Sequence, residues 1–296
     1  MSVAVAAEFA PRVRRDEPLS RHTSWHVGGP AEVFFSPQHR HELAAFLRAL
    51  DPAVPVSFLG LGSNLLVRDG GIPGVVISTQ GLDSLERLSE THVGAEAGVA
   101  CARIARQCVK WGLGPAEFFA GIPGTLGGAL AMNAGAFGGE TWAHVVRVET
   151  IDRQGRTRLR SRDEYRIAYR HVAAPVEAEW FLSAELEFEQ KPAADAGALQ
   201  ALLEKRKATQ PIGEWSCGSV FTNPPGDHAA RLIEAAGLKG YRIGDASVSA
   251  KHANFIINHG AASARDLESL IGHVRDTVER MHGVALRPEV RIVGVP

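Results

Sequence analysis

The stretch "GIPGTLGGALAMNAGAFGGE", residues 121–140, holds seven glycines and carries no charged side chain before Glu140. Side chains this small contribute little to a hydrophobic core, but they let another surface approach the backbone closely. Two interpretations follow: two elements of the chain pack closely here, or an extended ligand lies against exposed peptide N–H groups. A membrane-spanning helix is disfavoured, because the glycines and Pro123 weaken a helix and expose its backbone to lipid.

A second glycine-containing loop, "LGLGSNLL" over residues 59–66, lies between two predicted strands. Gly60 and Gly62 permit unusual backbone angles, and Ser63 and Asn64 add hydrogen-bond donors, so the loop can form an anion-binding nest. A tight turn without a ligand explains the same residues. The two loops together favour a dinucleotide ligand more than either loop does alone. Neither loop has the G-x-G-x-x-G pattern and the chain has no Walker A motif, which disfavours Rossmann and P-loop folds.

The composition is that of a globular protein with room for two or three domains, since 45% of the 296 residues are hydrophobic and 22% are charged. The net charge of −1 gives no basic excess for nucleic acid or an anionic membrane. The three cysteines lack disulfide or metal-site spacing, and the histidines lack an acidic ligand cluster, so no metal is expected. The N-terminal segment is unlike a signal peptide, and a cytoplasmic protein is expected.

The predicted helices and strands do not alternate regularly, which favours an α+β fold over a doubly wound parallel sheet. We expect one helix over residues 37–50, with Ser36 as its N-cap, and a second over residues 102–112. A long third helix runs from Ser263 to about Gly283.

Strand patterns fill most of the remaining chain. Residues 145–161 read as a hairpin that turns near Gln154 and Gly155, and residues 218–223 read as a strand. The alanine-rich residues 191–200 are a plausible linker. Cys101 and Cys108, seven residues apart on one face of the second helix, are interpreted as core residues.

Three isolated polar residues could carry chemistry: Arg170 in "AYRH", Ser219 in "CGSVF" and Glu289 in "RPEVR". Arginine suits bidentate binding of a carboxylate. Ser219 does not lie in a G-x-S-x-G elbow, which disfavours a hydrolase nucleophile. Taken singly, each position is better explained without a function, as a surface arginine, a strand serine and an ion-paired glutamate.

In order, six blocks of the chain resemble the UDP-N-acetylenolpyruvoylglucosamine reductase family, the flavoenzymes of bacterial peptidoglycan precursor synthesis. The resemblance spans nearly the whole chain from about Arg21 onwards, and it is carried by "HTSWHVGGPAEVFF", "LGLGSNLLVRDGGIPGVVI", "AGIPGTLGGALAMNAGAFGGE", "AYRH", "CGSVFTNPPGDHAARLIEAAGLKGYRIGDASVSAKHANFIIN" and "RPEVRIVG".

The resemblance implies an FAD-binding fold of the vanillyl-alcohol-oxidase type with a smaller α+β substrate domain. Residues 1–82 and 83–200 would be the two flavin-binding subdomains and residues 201–287 the substrate domain, with a strand over residues 288–296 returning to the first subdomain. It further implies noncovalent FAD, NADPH as cosubstrate, and reduction of UDP-N-acetylglucosamine enolpyruvate to UDP-N-acetylmuramate. The partner is then a small-molecule substrate, without nucleic acid or membrane, and we expect a monomer.

The family's functional positions map onto residues of this chain. Arg170, Ser219 and Glu289 correspond to its catalytic residues, and Ser219 would protonate the substrate carbon. The substrate-binding candidates are Tyr169, Asn223, Lys251 and His252. The cofactor-binding candidates are Gly60, Leu61, Gly62, Ser63, Asn64, Leu65, Gly121, Ile122, Pro123, Gly124, Thr125, Gly127, Gly128, Asn133, Ala134 and Gly135.

The chain departs from the family pattern in two places. Val172 stands where the family often has serine, and the short stretch between Arg170 and Ser219 lacks the insertion that supplies a substrate-covering tyrosine in one branch. Two other functions stay open at this point: an FAD-linked oxidase of the same fold, and a non-catalytic module that binds flavin or a nucleotide sugar.

Overall fold

The chain forms two compact units in a computed structural model that describes residues 3–191 and 196–296. The first unit comprises Met1–Arg15, Val33–Leu61 and Gly74–Glu204; the second comprises Asp16–Glu32, Gly62–Pro73 and Lys205–Pro296. Both units combine helices with mostly antiparallel strands, which confirms the predicted α+β class. The predicted domain boundaries at residues 82, 200 and 287 stay a prediction.

The described residues form α-helices that range from about two turns to about five turns. They are α1 (Arg40–Ala49), α2 (Cys101–Lys110), α3 (Leu126–Met132), α4 (Ala196–Thr209), α5 (Ala229–Ala235) and α6 (Ala264–His282).

The strands of the described residues are short, and most pair antiparallel. They are β1 (Val13–Pro18), β2 (Pro30–Phe35), β3 (Val56–Leu59), β4 (Leu65–Val67), β5 (Ile72–Ser78), β6 (Leu85–Arg87), β7 (His92–Glu96), β8 (Leu113–Gly114), β9 (Gly135–Ala136), β10 (Gly139–Glu140), β11 (Val145–Asp152), β12 (Thr157–Ser161), β13 (Arg166–Ala168), β14 (His171–Ala173), β15 (Glu179–Glu187), β16 (Glu189–Gln190), β17 (Arg242–Ile243), β18 (Ala246–Val248), β19 (Ile256–Asn258) and β20 (Arg291–Val293).

The first unit has two hydrophobic cores. One lies between α2, α3 and the five-stranded sheet β12-β11-β15-β7-β6, where Phe119 and Trp142 are fully buried. The other lies between α1 and the sheet β1-β2-β5-β3, where the rings of Phe35 and Phe46 stack 3.8 Å apart. Cys101 and Cys108 are both buried in the first of these cores, as the helical spacing predicted.

The second unit has one core, formed by α5, α6, the sheet β17-β18-β19 and the strand β4. The C-terminal strand β20 pairs parallel with β4, with Arg291 opposite Leu65. Helix α6 has the predicted ends: Ser263 Oγ accepts the Asp266 N–H in a capping box, and Gly283 ends the helix at a φ of 68°.

Two of the predicted local elements are wrong. Helix α1 begins at Arg40, and its N-cap is His39, which has extended backbone angles, so Ser36 is not the cap. Glu42 Oε2 accepts the Gln38 N–H just before the helix. Residues 218–223 form no regular strand: they make a single antiparallel bridge between Phe221 and Pro288.

The predicted hairpin is confirmed, and the predicted linker is also wrong over residues 196–200. The hairpin over β11 and β12 turns at Gly155, whose φ is 69°. Of the proposed linker, residues 192–195 lie outside the described residues, and residues 196–200 are the first turn of α4 rather than linker.

Candidate active site

The glycine-rich stretch of the first unit is a compact succession of a short helix and a hairpin. The peptide N–H groups of Leu126 and Gly127 donate to the carbonyls of Val99 and Ala97, at 2.9 and 2.8 Å, which fixes the start of α3. β9 and β10 then pair as a hairpin whose turn has Phe137 and Gly138 at positive φ, 53° and 86°. Two consecutive positive φ angles suit a tight hairpin turn, and Gly138 adopts its angle without strain.

Close packing explains several of these glycines. A Cβ atom at Gly121 would lie 2.5 Å from the Cβ of Ala136, and one at Gly139 would lie 2.5 Å from the Phe118 ring. At Gly135 it would overlap a backbone carbonyl of the same hairpin. The interpretation of the stretch as a close-packed region therefore holds at these positions.

Gly128 is different, because a Cβ built on it would have no atom of another described residue within 4 Å, apart from its chain neighbours and the backbone of its own helix. It lies on the exposed side of α3, between the buried Leu126 and Ala129. Packing within the chain does not require a glycine at this position. An open, flat helix surface is what an extended ring system needs in order to contact backbone.

Gly60 and Thr125 bring the two glycine-containing loops together within the first unit. A Cβ at Gly60 would overlap Thr125 Oγ1, so glycine is needed for the approach. Thr125 is 4% exposed, and its hydroxyl has no hydrogen-bond partner among the described residues. A buried hydroxyl without a partner costs about 1–3 kcal/mol. The site therefore fits a ligand with acceptor oxygens, such as the diphosphate of the FAD implied by the resemblance.

The next residues of the first loop, in the second unit, are shaped by backbone contacts. Gly62 has a φ of 66°, and a Cβ there would overlap the carbonyl oxygen of His22. Its own carbonyl accepts the Ser24 N–H at 3.3 Å. Asn64 Nδ2 donates to the carbonyl of Glu289 at 3.0 Å, so the side chain is engaged in holding the C-terminal segment.

The remaining cofactor-binding candidates lie around these anchors. Ile122 and Ala134 are buried and Leu61 is exposed. The carbonyl of Gly124 accepts the Cys101 N–H. Ser63 is half-buried, Pro123 is exposed and Leu65 begins β4.

Asn133 anchors the end of the glycine-rich helix. It is 1% exposed and has left-handed backbone angles, φ 47° and ψ 53°, as the C-cap of α3. Asparagine tolerates this region better than most residues. Its Nδ2 donates to Glu140 Oε2 at 2.9 Å and to the Ala168 carbonyl at 3.2 Å, and its Oδ1 accepts the Trp142 N–H at 3.1 Å.

Arg170 reaches the same stretch from the tight turn between β13 and β14. Its Nη1 donates to the carbonyl of Asn133 at 3.3 Å and its Nη2 to the carbonyl of Gly135 at 2.9 Å. The guanidinium carbon also lies 5.1 Å from the ring centre of Tyr169, which is 51% exposed. Arg170 itself has a φ of 53°. The structure thus brings Arg170 and Tyr169 to the predicted flavin-binding stretch.

The segments that carry Ser219 and Glu289 lie side by side in the second unit. Glu289 donates its backbone N–H to the carbonyl of Val220 at 2.7 Å, and the Phe221–Pro288 bridge continues the pairing. Ser219 and Glu289 are both half-buried. Gly218, with a φ of 82°, permits the bend immediately before Ser219.

Cys217 reports the charge near these residues. Burial raises the pKa of the Cys217 thiol well above its usual value, and the Glu289 carboxylate raises it further. The thiol stays protonated at neutral pH. This electrostatic effect indicates that the Glu289 carboxylate lies close to the segment that carries Ser219.

The other substrate-binding candidates, Asn223, Lys251 and His252, form hydrogen bonds with the backbone of the second unit. Asn223 Oδ1 accepts the Ala229 N–H at 3.1 Å and so caps α5, and Lys251 Nζ donates to the carbonyl of Lys207 at 2.6 Å. Burial lowers the pKa of His252, whose Nδ1 accepts the Asn254 N–H at 3.3 Å. The side chain is then neutral near pH 7 and carries its proton on Nε2.

Two supporting residues were not predicted from the sequence. Glu140 binds the Asn133 side chain, and Asn254 binds the backbone of Phe221 in both directions. Asn254 lies in the quoted block "AKHANFIIN", but its partner is 33 residues away in sequence, so no local pattern marks it.

Among the described residues, no group of three or more His, Cys, Asp and Glu side chains is arranged to hold a metal ion. None of the helices in the described part of the chain has the length and apolar character needed to cross a membrane.

Comparison with protein families first identifies the class. Residues 31–159 match the FAD-binding domain family, and residues 210–293 match the family described as the C-terminal domain of UDP-N-acetylenolpyruvoylglucosamine reductase. The crystal structure of UDP-N-acetylenolpyruvylglucosamine reductase from Thermus caldophilus has a TM-score of 0.81 and 30% identity, and covers 98% of this chain and 99% of that one. The fold is therefore that of an enzyme with an FAD-binding domain.

Full-length relatives then identify the family. The UDP-N-acetylenolpyruvoylglucosamine reductase of Alkalilimnicola ehrlichii is 61% identical over 95% of both chains. That of Methylococcus capsulatus is 58% identical over 94% of this chain and 92% of the relative. The chain belongs to the UDP-N-acetylenolpyruvoylglucosamine reductase family. It is an FAD-containing oxidoreductase of peptidoglycan precursor synthesis with NADPH as cosubstrate, and the predicted family and cofactor are confirmed.

Proposed function

We propose that this chain reduces UDP-N-acetylglucosamine enolpyruvate to UDP-N-acetylmuramate with Arg170, Ser219 and Glu289 as its catalytic residues. The observation that carries the proposal is the 2.7 Å hydrogen bond from the Glu289 N–H to the Val220 carbonyl. It holds the two half-buried residues Ser219 and Glu289 on neighbouring segments, close in the chain to the buried Cys217.

The cofactor would be held by the surface around Gly128 and by the donors of Thr125 and of the loop at Gly60. The open helix surface at Gly128 and the buried Thr125 hydroxyl support this assignment. When it is bound, FAD supplies the two-electron chemistry that links NADPH to the substrate. The chain's own residues supply position, charge stabilisation and the proton.

Arg170 is proposed to stabilise negative charge that develops at the substrate's carboxylate side as the double bond is reduced. A guanidinium group binds a carboxylate through two parallel hydrogen bonds. The carbonyls of Asn133 and Gly135 orient that group in the first unit. Charge stabilisation by donors that are already oriented is worth more than the same contact in water, because no reorganisation is needed.

Ser219 is proposed to give the proton that completes the reduction at the second carbon of the double bond. A serine hydroxyl is a weak acid, so it works only if it is held against the carbon and its proton is replaced. Glu289 is proposed to assist through water. The backbone bond between Glu289 and Val220 keeps Glu289 beside the Ser219 segment, which supports a proton transfer between the two side chains through water.

Substrate binding is proposed for Tyr169, Asn223, Lys251 and His252. The exposed ring of Tyr169 and the exposed side chains of Asn223 and Lys251 support a contact with the sugar or the diphosphate. We further propose a cytoplasmic monomer with a division into residues 1–82, 83–200 and 201–287, and with residues 288–296 returning to the first of these. Light scattering of the purified protein tests the monomer.

The Ser219→Ala variant tests the proton donor in a stopped-flow experiment that separates the two half-reactions. Bleaching of the flavin by NADPH needs no proton from Ser219 and should proceed at close to the normal rate. Reoxidation by the enolpyruvyl substrate should slow by roughly a hundredfold to ten-thousandfold. Ser216→Ala, the same chemical change three residues earlier, is the matched control and should leave both rates near normal.

Two results would contradict the assignment of Ser219. If both half-reactions slow equally, Ser219 supports the fold or the flavin and does not donate the proton. If neither slows, the proton comes from another group, and Glu289 through water is the next residue to change. A Ser219→Cys variant adds a positive control, because a thiol can also give a proton and should restore part of the rate.

A further inference from the structure

Asn254 is a buried residue of the second unit that holds the segment next to Ser219. Its side chain belongs to a residue that is only 4% exposed. Oδ1 accepts the Phe221 N–H at 3.0 Å, and Nδ2 donates to the Phe221 carbonyl at 2.8 Å. Its backbone carbonyl accepts the Val220 N–H at 2.9 Å. One residue thus satisfies three polar groups of two consecutive residues.

These bonds replace a missing strand. Residues 218–223 form no regular strand, although Val220 and Phe221 are fully buried and their peptide groups need partners. The carboxamide of Asn254 has a donor and an acceptor at the spacing of a peptide group, so it pairs with Phe221 as a neighbouring strand would. Since both of its atoms have defined partners, the orientation of the amide is fixed by the contacts.

The same segment is held from its other side by the residues around Glu289. The Val220 carbonyl accepts the Glu289 N–H at 2.7 Å, and Thr222 donates its N–H to the Arg287 carbonyl at 3.0 Å. Val220 and Phe221 therefore lie between Asn254 and the Glu289 segment. A shift of this pair moves Ser219, which directly precedes it, relative to Glu289.

We propose that Asn254 is a positioning residue that fixes Ser219 and Glu289 relative to each other by clamping Val220 and Phe221. The inference rests on the proposed roles of Ser219 and Glu289. Asn254 is not assigned any contact with substrate. Its effect is therefore expected in the half-reaction that needs the proton, and not in the reduction of the flavin by NADPH.

The Asn254→Asp variant tests this with a change of one atom. A carboxylate still accepts the Phe221 N–H, but its second oxygen faces the Phe221 carbonyl and repels it. We expect reoxidation by the enolpyruvyl substrate to slow by roughly tenfold to a hundredfold, because displacement of a reacting group by about 1 Å has such an effect. The rate of bleaching by NADPH should stay within about twofold of normal, since it needs no proton from this segment.

A pH series distinguishes positioning from simple destabilisation. Burial raises the pKa of an aspartate, and once protonated the carboxyl group donates to the Phe221 carbonyl as the amide did. The substrate half-reaction of Asn254→Asp, divided by that of the unchanged protein, should therefore recover as the pH falls. Cys217, His252 and Glu289 are ionisable residues near this segment, and dividing by the rate of the unchanged protein removes the pH dependence that both proteins share.

Asn258→Asp is the matched control. Asn258 is also 4% exposed in the second unit. Its side chain binds the backbone of Trp25, Gly260 and Ala262, and among the described residues it makes no hydrogen bond to Val220, Phe221 or Glu289. The control should lose a comparable amount of stability. Once rates are normalised to the bound flavin, its substrate half-reaction should be faster than that of Asn254→Asp and should not recover at low pH.

If Asn254→Asp does not fold, Asn254→Ser keeps a hydroxyl and leaves room for water, and it should slow the substrate half-reaction in the same direction. A normal substrate half-reaction in a folded Asn254 variant overturns the proposal if Ser219→Ala is slow in the same assay. A normal rate in Ser219→Ala overturns the proposed function instead. Equal slowing of both half-reactions, or no recovery at low pH, assigns Asn254 to stability alone.

Discussion

The glycine-rich stretch of the first unit and the Ser219 segment of the second unit are each held by a buried asparagine, but the two asparagines differ in how far the sequence alone indicates their role. In each, one buried asparagine holds a segment of the proposed site in place: Asn133 is 1% exposed and holds the segment of the cofactor-binding candidates, and Asn254 is 4% exposed and holds the segment of Ser219. The side chain of Asn133 binds Glu140 and Trp142, seven and nine residues away, as well as the distant Ala168, whereas the side chain of Asn254 binds only Phe221 among the described residues, 33 residues away.

The two asparagines show which residues of a site can be predicted from sequence and which cannot. Asn133 ends a helix in the left-handed region, a backbone position that asparagine and glycine favour, so its place among glycines was a signal in itself. The side chain of Asn254 binds the peptide groups of Phe221, which no neighbouring strand of the described residues pairs with. Its importance depends on a tertiary contact, which no periodicity or motif expresses.

The largest effect is expected from a substitution in the glycine-rich stretch that blocks the proposed FAD-binding surface. Gly128→Val should remove most of the bound FAD and with it the activity, because a branched side chain fills the open surface of α3. The flavin content per folded chain, read from absorbance after purification, measures this. We expect the apparent affinity for FAD to fall by about tenfold for each 1.4 kcal/mol of lost contact.

Gly272→Val is the matched control for that experiment. Gly272 is also a helical glycine with no heavy atom of the described residues within 4 Å of its Cβ position, but it lies in α6 of the second unit. It should keep its flavin. Normal flavin content in a folded Gly128→Val protein would mean that the glycines serve packing throughout.

A smaller effect, on the free energy of unfolding, is expected from substitutions of Asn133. Asn133→Gly keeps the left-handed backbone and deletes the side chain, and we expect it to lower the free energy of unfolding by about 1–3 kcal/mol, since the Trp142 N–H loses its acceptor. Asn133→Ala adds the strain of a left-handed alanine, about 1–2 kcal/mol. Urea unfolding of both variants separates the two contributions. If the two are equally stable, the backbone conformation at Asn133 carries no cost.

The smallest effect concerns the three buried thiols. Burial raises the pKa of Cys101 and of Cys108 to about 12, and that of Cys217 well above its usual value. At about pH 8 all three should resist iodoacetamide until the protein is unfolded, because the thiolate is the reactive form. Because the pKa values of these thiols are higher in the folded than in the unfolded protein, they make their full contribution to the free energy of unfolding below about pH 8.5. That contribution is lost as the pH rises towards 12.

Mass spectrometry of the alkylated peptides checks this prediction in each unit separately. Cys101 and Cys108 report on the first unit and Cys217 on the second. Alkylation of Cys217 alone in the folded protein would show that the segment beside Ser219 opens locally, and it would weaken the account of that segment as a clamped one.

Much of the fold and of the family could be predicted from the sequence. Helix α6 is bounded by a serine and a glycine that cap it through local contacts, and the hairpin at Gly155 turns where glycine permits a positive φ. The predicted start of α1 is wrong: Ser36 and Pro37 have the form of a helix start, whereas His39 is the N-cap and Glu42 Oε2 accepts the Gln38 N–H.

The parts that could not be predicted depend on long-range pairing. The strand expected over residues 218–223 was wrong because its peptide groups bind a side chain and the segment before β20, and not a neighbouring strand. The parallel pairing of β20 with β4 joins residues more than 220 positions apart, as the bond from Asn64 to Glu289 also does. Sequence patterns report local periodicity and leave such pairings open.

The most direct test of the central claim is a two-step titration of the unchanged protein followed by its visible flavin absorbance without oxygen. The account predicts that the protein purifies yellow, that NADPH bleaches the flavin, and that the enolpyruvyl substrate then restores the absorbance with formation of UDP-N-acetylmuramate. Denaturation should release the flavin into solution. Flavin that stays on the denatured chain, or a reduced flavin that oxygen restores and the substrate does not, would contradict it and favour an oxidase of the same fold.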